Sequence, residues 1–221
     1  SCPIAILEGV FNQSELEQAL AAQCYLVVHQ QQQLDLLANY QGNAQTHIWL
    51  KVDSGMHRLG FSPEYVASAY QQLSVLNCVQ EIILTSHFAC ADEPNSPKTQ
   101  QQLEVLEQLY QQLPQTLSRS FANSAAILAW PNTHHQWVRP GIMLYGSSPF
   151  IHKTAKELNL QAVMTLKTKV IALRTINAGE TVGYGSTWQA SCQTCLAVIA
   201  IGYGDGYPRH INANTPVLIN G

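Results

Sequence analysis

Several side chains able to do chemistry stand just past the ends of apolar runs. Lys51 follows His47-Ile48-Trp49-Leu50 and is trailed by Asp53, and His87 follows Glu81-Ile82-Ile83-Leu84-Thr85-Ser86. Asn123 and Ser124 close Ser120-Phe121-Ala122, and Arg139 closes Gln136-Trp137-Val138. Together they offer an imidazole that titrates near neutrality, a guanidinium that stays charged, an ammonium, a carboxylate and a hydroxyl. One such residue would be a cap on its own loop; several of different chemistry at equivalent positions point to an active site. Tyr203, between Gly202 and Gly204, is either a turn aromatic or a weak base with an unperturbed pKa of about 10. Gly141 reads equally as a plain turn glycine, and Lys51 and Arg58 as an ion-paired strand end with Asp53. His57 reads as a loop histidine, and His134-His135 as a polar connection rather than a metal pair. Cys192-Gln193-Thr194-Cys195 has the spacing of half a zinc or redox site but lacks a second half, so no metal is expected.

The elements that must position these residues are legible from periodicity. Ile4–Glu8, Tyr25–His29, His47–Lys51, Glu81–His87, Ser120–Ser124 and Gln136–Arg139 read as short buried strands. Between them run helices: Ser14 with Glu17 reads as a capping box, and Ser62-Pro63 and Ser96-Pro97 as caps followed by Pro at the first helical position. Val66, Ala69, Tyr70 and Leu73 share one helical face, as do Leu103, Leu106, Tyr110 and Leu113. This alternation predicts a parallel α/β fold, either a (β/α)8 barrel or an open doubly wound sheet. No GxGxxG follows the first strand, which counts against dinucleotide binding. In a barrel, the strand ends that carry the reactive residues form the face where active sites are built. Past about residue 150 the helical period stops; Val163–Ile176 alternates and Cys195–Ile201 is a β-rich apolar run, which reads as an antiparallel β-domain or the start of one. The chain opens abruptly at Ser1-Cys2-Pro3 and closes on Thr215–Ile219, read as a strand leading into a turn at Asn220-Gly221, so both ends look cut.

Composition narrows the classes. With 46% hydrophobic residues, 11% charged and a formal net charge of −3 over 221 residues, the chain has too much apolar content for disorder and no basic surplus for nucleic acid. No apolar run approaches the ~20 residues that span a bilayer. Six cysteines scattered through a chain this long read as reduced thiols of a cytoplasmic protein.

Five segments carry a resemblance. Lys51-Val52-Asp53-Ser54-Gly55-Met56-His57-Arg58-Leu59-Gly60, Ser86-His87-Phe88-Ala89, Ala122-Asn123-Ser124-Ala125, Val138–Gly146 and Ala200–Arg209 occur in the order and spacing of the bacterial alanine racemases, fold-type III pyridoxal-phosphate enzymes. The resemblance implies a partial (β/α)8 barrel over residues 1–150 that binds pyridoxal phosphate, then a partial β-domain over 151–221. It implies a homodimer with active sites shared across the interface, an amino-acid substrate, and D-alanine supplied for peptidoglycan. Tyr203, delivered from the partner subunit, matches one of two racemising bases, with His87 the cationic neighbour that lowers its pKa. Arg139 matches the arginine facing the cofactor's ring nitrogen, which a permanent cation leaves without a proton. Ser124, Gly141 and Ile142 match phosphate contacts. Arg58 matches a residue near the phenolic oxygen and substrate, and Lys51 a lysine that is often carbamylated. The cofactor lysine of the family, in a KANAYGHG-like segment, has no match here. The chain is thus expected to be a central piece, inactive in isolation. A broad-specificity amino-acid racemase, a non-catalytic pyridoxal-phosphate carrier and an inert fragment are the alternatives.

Overall fold

The computed structural model describes residues 2–212 and 215–219. By its contacts the chain divides into two compact units, Ser1–Met164 and Thr165–Gly221. The first unit alternates strand and helix: β1 (Ala5–Ile6), α1 (Gln13–Ala21), β2 (Tyr25–Val28), α2 (Gln31–Ala38), β3 (Thr46–Lys51), α3 (Pro63–Ser74), β4 (Val79–Thr85), α4 (Lys98–Tyr110), β5 (Ser118–Ser120) and α5 (Ser124–Ala129). All five strands are parallel and lie in the order β1-β2-β3-β4-β5. Strands that neighbour in sequence also neighbour in space, with no reversal of order. That is the arc of a singly wound barrel, not a doubly wound sheet, which turns back on itself at a switch point.

Strand alternation sorts the two faces. Leu26 and Val28, Ile48 and Leu50, and Ile82 and Leu84 point outward into the main core, where they meet Leu16 and Leu20 of α1, Leu34 and Leu37 of α2, Val66 and Leu73 of α3, and Leu103 and Leu106 of α4. Val27, Trp49 and Ile83 point the other way and form a separate apolar layer packed by Tyr25. Below it, toward the strand N-termini, His47 Nδ1 lies 2.9 Å from Glu81 Oε2, and Ser118 Oγ donates to Glu81 Oε1 at 3.0 Å. Above it, Lys51 pairs in register with Thr85, and Thr85 with Ser120. The inner face therefore runs polar, dry, polar from floor to mouth.

Some local expectations shift. Helix α1 is capped by Asn12, whose Oδ1 accepts the Glu15 N–H at 2.9 Å while the Glu15 carboxylate accepts the Phe11 N–H at 2.8 Å; the box lies two residues before the Ser14–Glu17 pair. Ser62 caps α3 with Pro63 first in the helix, but α4 starts at Lys98 with Pro97 as its cap, one residue later than expected. Gln136–Arg139 forms no named strand: Trp137 bridges Ser120, and the Trp137 and Arg139 N–H groups donate to Arg119 and Ala122 carbonyls. Val163 donates to the Tyr145 carbonyl, so the stretch after α5 groups with the first unit.

In the second unit β6 (Val170–Ile176) pairs antiparallel with β9 (Thr194–Ile199), and β7 (Thr181–Val182) with β8 (Trp188–Gln189). Thr215–Ile219, expected as a strand, carries no strand among the described residues, and the expected turn at Asn220-Gly221 lies outside them, as does Ser1. Among the described residues no helix is long and apolar enough to cross a membrane.

Candidate active site

The strand exits of the first unit converge. Lys51 ends β3, and its neighbour Val52 bridges Phe61, closing the loop that carries Arg58. Asp53 organises that loop: its Oδ1 accepts the N–H groups of Gly55 (3.0 Å) and His57 (2.9 Å), and its Oδ2 lies 3.1 Å from His57 Nδ1. The strand-end ion pair expected for Asp53 with Lys51 and Arg58 is thus replaced by a pair with His57. Burial works against the Asp53 charge, but the donated N–H groups outweigh it and hold the carboxyl below its ordinary value. His57 sits in the loop as expected, at φ 57°. Gly60 closes the turn at φ +132°, where a Cβ would strike the Val52 and Asp53 backbone.

Arg139 is a hub rather than half of a salt bridge. Its Nη1 donates to the Ser120 carbonyl and hydroxyl, both at 2.6 Å, and to Thr85 Oγ1 at 3.1 Å; its Nη2 donates to the Ser86 carbonyl. The guanidinium is thereby locked to the exits of β4 and β5. Burial lowers its pKa to about 10, so it stays charged at neutral pH.

Lys51, Arg58, His87, Arg139 and Gly141 line one cavity of about 400 Å3, with Trp49 and Val27 beneath. No ion pair to Lys51, Arg58 or Arg139 forms among the described residues, and the acid at the rim, Glu8, is exposed. The cost of that crowding appears in the titrations. Burial, then Arg139 and Arg58, lowers the Lys51 pKa to about 8. Burial, then Arg139, Lys51 and Arg58, lowers that of His87 to about 4. The His87 ring also meets only donors, Arg139 Nη2 at its Nδ1 and Asn123 Nδ2 at its Nε2, each at 3.5 Å. An imidazolium would find no acceptor there. The expected cationic His87 is therefore corrected to a neutral one.

A second cavity shares His87, Arg139 and Gly141 and adds Asn123, Ser124, Ile142 and Asp92. Ser124, expected at a strand end, opens α5 behind its cap, Asn123. Its Oγ accepts the Gly141 N–H at 2.8 Å and the Met143 N–H at 3.4 Å, so one hydroxyl and a turn of N–H donors face the same space. Tyr203 lies in the second unit, 69% exposed, in a turn closed by Asp205, with the Arg209 guanidinium 5.6 Å above its ring. Among the described residues no group of three or more His, Cys, Asp or Glu could hold a metal, and Cys192 and Cys195 are free.

Two features have no counterpart in the sequence expectations. Gln102 sits on the buried stripe of α4, four residues before Leu106, where a polar residue is itself a visible signal. Tyr184 is 99% exposed and flanked by Gly183 at φ +77° and Gly185 at φ +70°, with Ser186 at φ 52°. In the sequence the Gly-Tyr-Gly step reads only as punctuation.

A parallel β/α barrel arc with cationic side chains at its strand exits, followed by an antiparallel β-unit, defines a two-unit protein of the α/β-barrel class. The chain belongs to the alanine racemase family. Residues 1–149 match the alanine racemase N-terminal domain, and residues 163–221 the C-terminal domain. It is 46% identical over 219 residues to the alanine racemase of Halorhodospira halophila, covering 99% of this chain and 60% of that protein. With the alanine racemase of Nitrosococcus oceani it shares 44% identity over 221 residues, 100% of this chain and 61% of that protein. Among solved structures, the biosynthetic alanine racemase of Pseudomonas aeruginosa superposes at a TM-score of 0.93 with 44% identity, over 99% of this chain and 60% of that one. A further neighbour, at TM-score 0.73 and 28% identity over 94% of this chain and 57% of that one, is the alanine racemase of Bartonella henselae with covalently bound pyridoxal phosphate. The chain thus spans about 60% of the length of the curated relatives it matches.

Proposed function

We propose that the complete protein interconverts L-alanine and D-alanine with pyridoxal phosphate held at the barrel mouth. The observation that carries this is the convergence of Lys51, Arg58 and Arg139, with no carboxylate ion pair among the described residues, around a neutral His87 in a member of this family. The residues fit the cofactor: a dianionic phosphate and a phenolic oxygen need cations and N–H donors, and the two cavities offer both. Ser124, Gly141 and Ile142 would take the phosphate, and Arg58 the phenolic side together with the substrate carboxylate. Arg139 would face the ring nitrogen through Nε, the one guanidinium N–H donor not engaged by the protein among the described residues. When bound, the cofactor makes the substrate Cα proton acidic by spreading negative charge into its ring.

The chain's own residues do the rest. Arg139 cannot accept a proton, so it would leave the ring nitrogen of a bound cofactor unprotonated. Lys51, with its pKa near 8, presents an appreciable fraction of neutral amine. That amine can attack dissolved CO2, forming the N–C bond of a carbamate and releasing a proton to solvent. The product turns a third cation into an anion between two arginines. Racemisation needs a base on each face of Cα. One is expected to be a lysine, and the second a tyrosine of the second unit acting across a two-fold interface.

Tyr203 is the tyrosine that the resemblance supplies. A second reading, Tyr184, is favoured by its full exposure between Gly183 and Gly185, beside Ser186 held at φ 52°, since strain at a non-glycine residue persists where a side chain must be held out for use. Tyr203→Phe and Tyr184→Phe in the complete protein separate them: the true base loses ~10²–10⁴-fold in racemisation and the other far less. The functional reading itself is tested by incubating the purified complete protein with pyridoxal phosphate and L-alanine and resolving the enantiomers. D-alanine should accumulate to equality; none at all from cofactor-loaded protein refutes it. The reading carries with it a homodimer, an amino-acid substrate and a place in D-alanine supply for peptidoglycan. The six unpaired cysteines support a cytoplasmic setting.

A further inference from the structure

Gln102 is 1% exposed on a buried helix face shared with Thr99, Leu103, Leu106, Leu109 and Tyr110, yet its amide does nothing for its own helix. Its Nε2 donates to Ser54 Oγ and to the His87 carbonyl, both at 3.0 Å, and its Oε1 accepts the Ala89 N–H at 2.9 Å. Ser54 Oγ in turn shares a hydrogen with Ser86 Oγ (2.9 Å), which also donates to the Val52 carbonyl (2.9 Å). One side chain thus pins the exits of β3 and β4 on both sides of His87. The device recurs two strands earlier: Gln33 of α2, also 1% exposed, accepts the His29 N–H at 2.9 Å and donates to the Glu8 carbonyl at 3.1 Å. Each glutamine reaches from the helix after an even-numbered strand to the exit of that strand and of the one before it.

A buried amide costs desolvation unless every donor and acceptor is met, and a leucine or methionine would fill the same space without that demand. The amide is explained by what it holds. Three of its bonds end on the segment that presents His87 or on the serine beside it. The His87 ring depends on placement: its contacts to Arg139 and Asn123 are both at 3.5 Å, so a small displacement makes or loses either. We propose that Gln102 is a positioning residue that fixes His87 against Arg139 at the cationic mouth, a role that rests on reading that mouth as the racemase site. The charged groups around His87 are Arg139 beyond β5, Lys51 on β3 and Arg58 on the loop after it, with Asp92 across the second cavity.

The test uses the complete, cofactor-loaded protein with labelled histidine, the His87 resonance being assigned through His87→Gln. In the wild type, where burial and then the Arg139 charge oppose protonation, the His87 imidazole should titrate well below an ordinary histidine. In Gln102→Met, which keeps volume but removes all three bonds, the His87 titration moves up toward that of an ordinary histidine. At the same time kcat falls by ~10–100-fold with KM changed far less, as expected for a small misplacement at a reacting site. Gln33→Met makes a comparable buried loss elsewhere and should leave the His87 titration where it was. An unmoved titration and kcat in folded Gln102→Met overturns the proposal, as does an equal shift in Gln33→Met. If Gln102→Met does not fold, Gln102→Glu, which keeps the acceptor for Ala89 but cannot donate to the His87 carbonyl when ionised, is judged by the same criteria. A titration shift in a protein that makes no D-alanine would uphold the positioning and sink the racemase reading, so the two fail separately.

Discussion

Lys51, Arg58 and Arg139 are the residues whose proximity costs most, and that cost is measurable. Replacing Arg139 by Gln removes the nearest positive charge from His87, so the His87 pKa should rise from about 4, read by histidine NMR. An unchanged value would mean that burial, Lys51 and Arg58 set it without Arg139. The same depression makes stability depend on pH. His87 takes a proton at about 6.5 when unfolded and at about 4 when folded, so the unfolded chain binds more protons between those values. This contribution is therefore fully present above pH 6.5 and lost progressively as the pH falls toward 4. Urea midpoints of the complete protein should decline across that window, and more shallowly in His87→Gln. At Lys51, 13C-labelled bicarbonate should give a carbamate carbon resonance that disappears in Lys51→Arg; its persistence there would move the modification elsewhere. The reactive residue types are legible in the amino-acid sequence, because they stand at the ends of apolar runs. Their charge states are not, because the His87 pKa is lowered first by burial and then by Arg139, Lys51 and Arg58, all of which arise only on folding.

At the scale of the element, the arc is readable because β2, β3 and β4 each carry an apolar outer row and α1 to α4 each an apolar stripe. What escapes is detail that competes locally. Asn12 and Glu15 have the same spacing as Ser14 and Glu17, and only the path of the chain into α1 decides which pair caps it. Ser124 reads as a strand end because Phe121 and Ala122 precede it, whereas the Asn123 side chain, accepting the Ala126 N–H at 3.1 Å, starts a helix there. The left-handed turn at Tyr184 leaves no periodic signal at all. The loop bearing Arg58 offers a direct check. Gly60→Ala adds a methyl that meets the Asp53 and Val52 backbone at a φ alanine rarely adopts. The loop should shift, with KM for alanine rising as Arg58 is displaced while the thermal midpoint of the core changes little. Asn12→Ala should do the reverse, costing ~1 kcal/mol of stability by chemical denaturation and leaving KM alone.

At the scale of the whole molecule, the cationic mouth belongs to one unit and both candidate tyrosines to the other. If the site forms across a two-fold axis, mixing complete Arg139→Leu subunits with subunits bearing the disabling Tyr→Phe change should restore activity. Hybrid dimers would then own one site with both intact parts. No rescue, with subunit exchange shown independently, would put the tyrosine in its own subunit's site. The layered inner face has a further consequence. Val27, Trp49 and Ile83 interpose a dry septum between the clustered cations and the His47–Glu81 floor. Such a septum polarises poorly, so the field of Arg58 and Arg139, which stay cationic whether or not Lys51 is carbamylated, is pushed outward, toward solvent. The barrel mouth then behaves as a one-way electrostatic funnel: anions are drawn in along a single approach, and their capture rate should fall steeply with ionic strength while the chemical step is left unchanged.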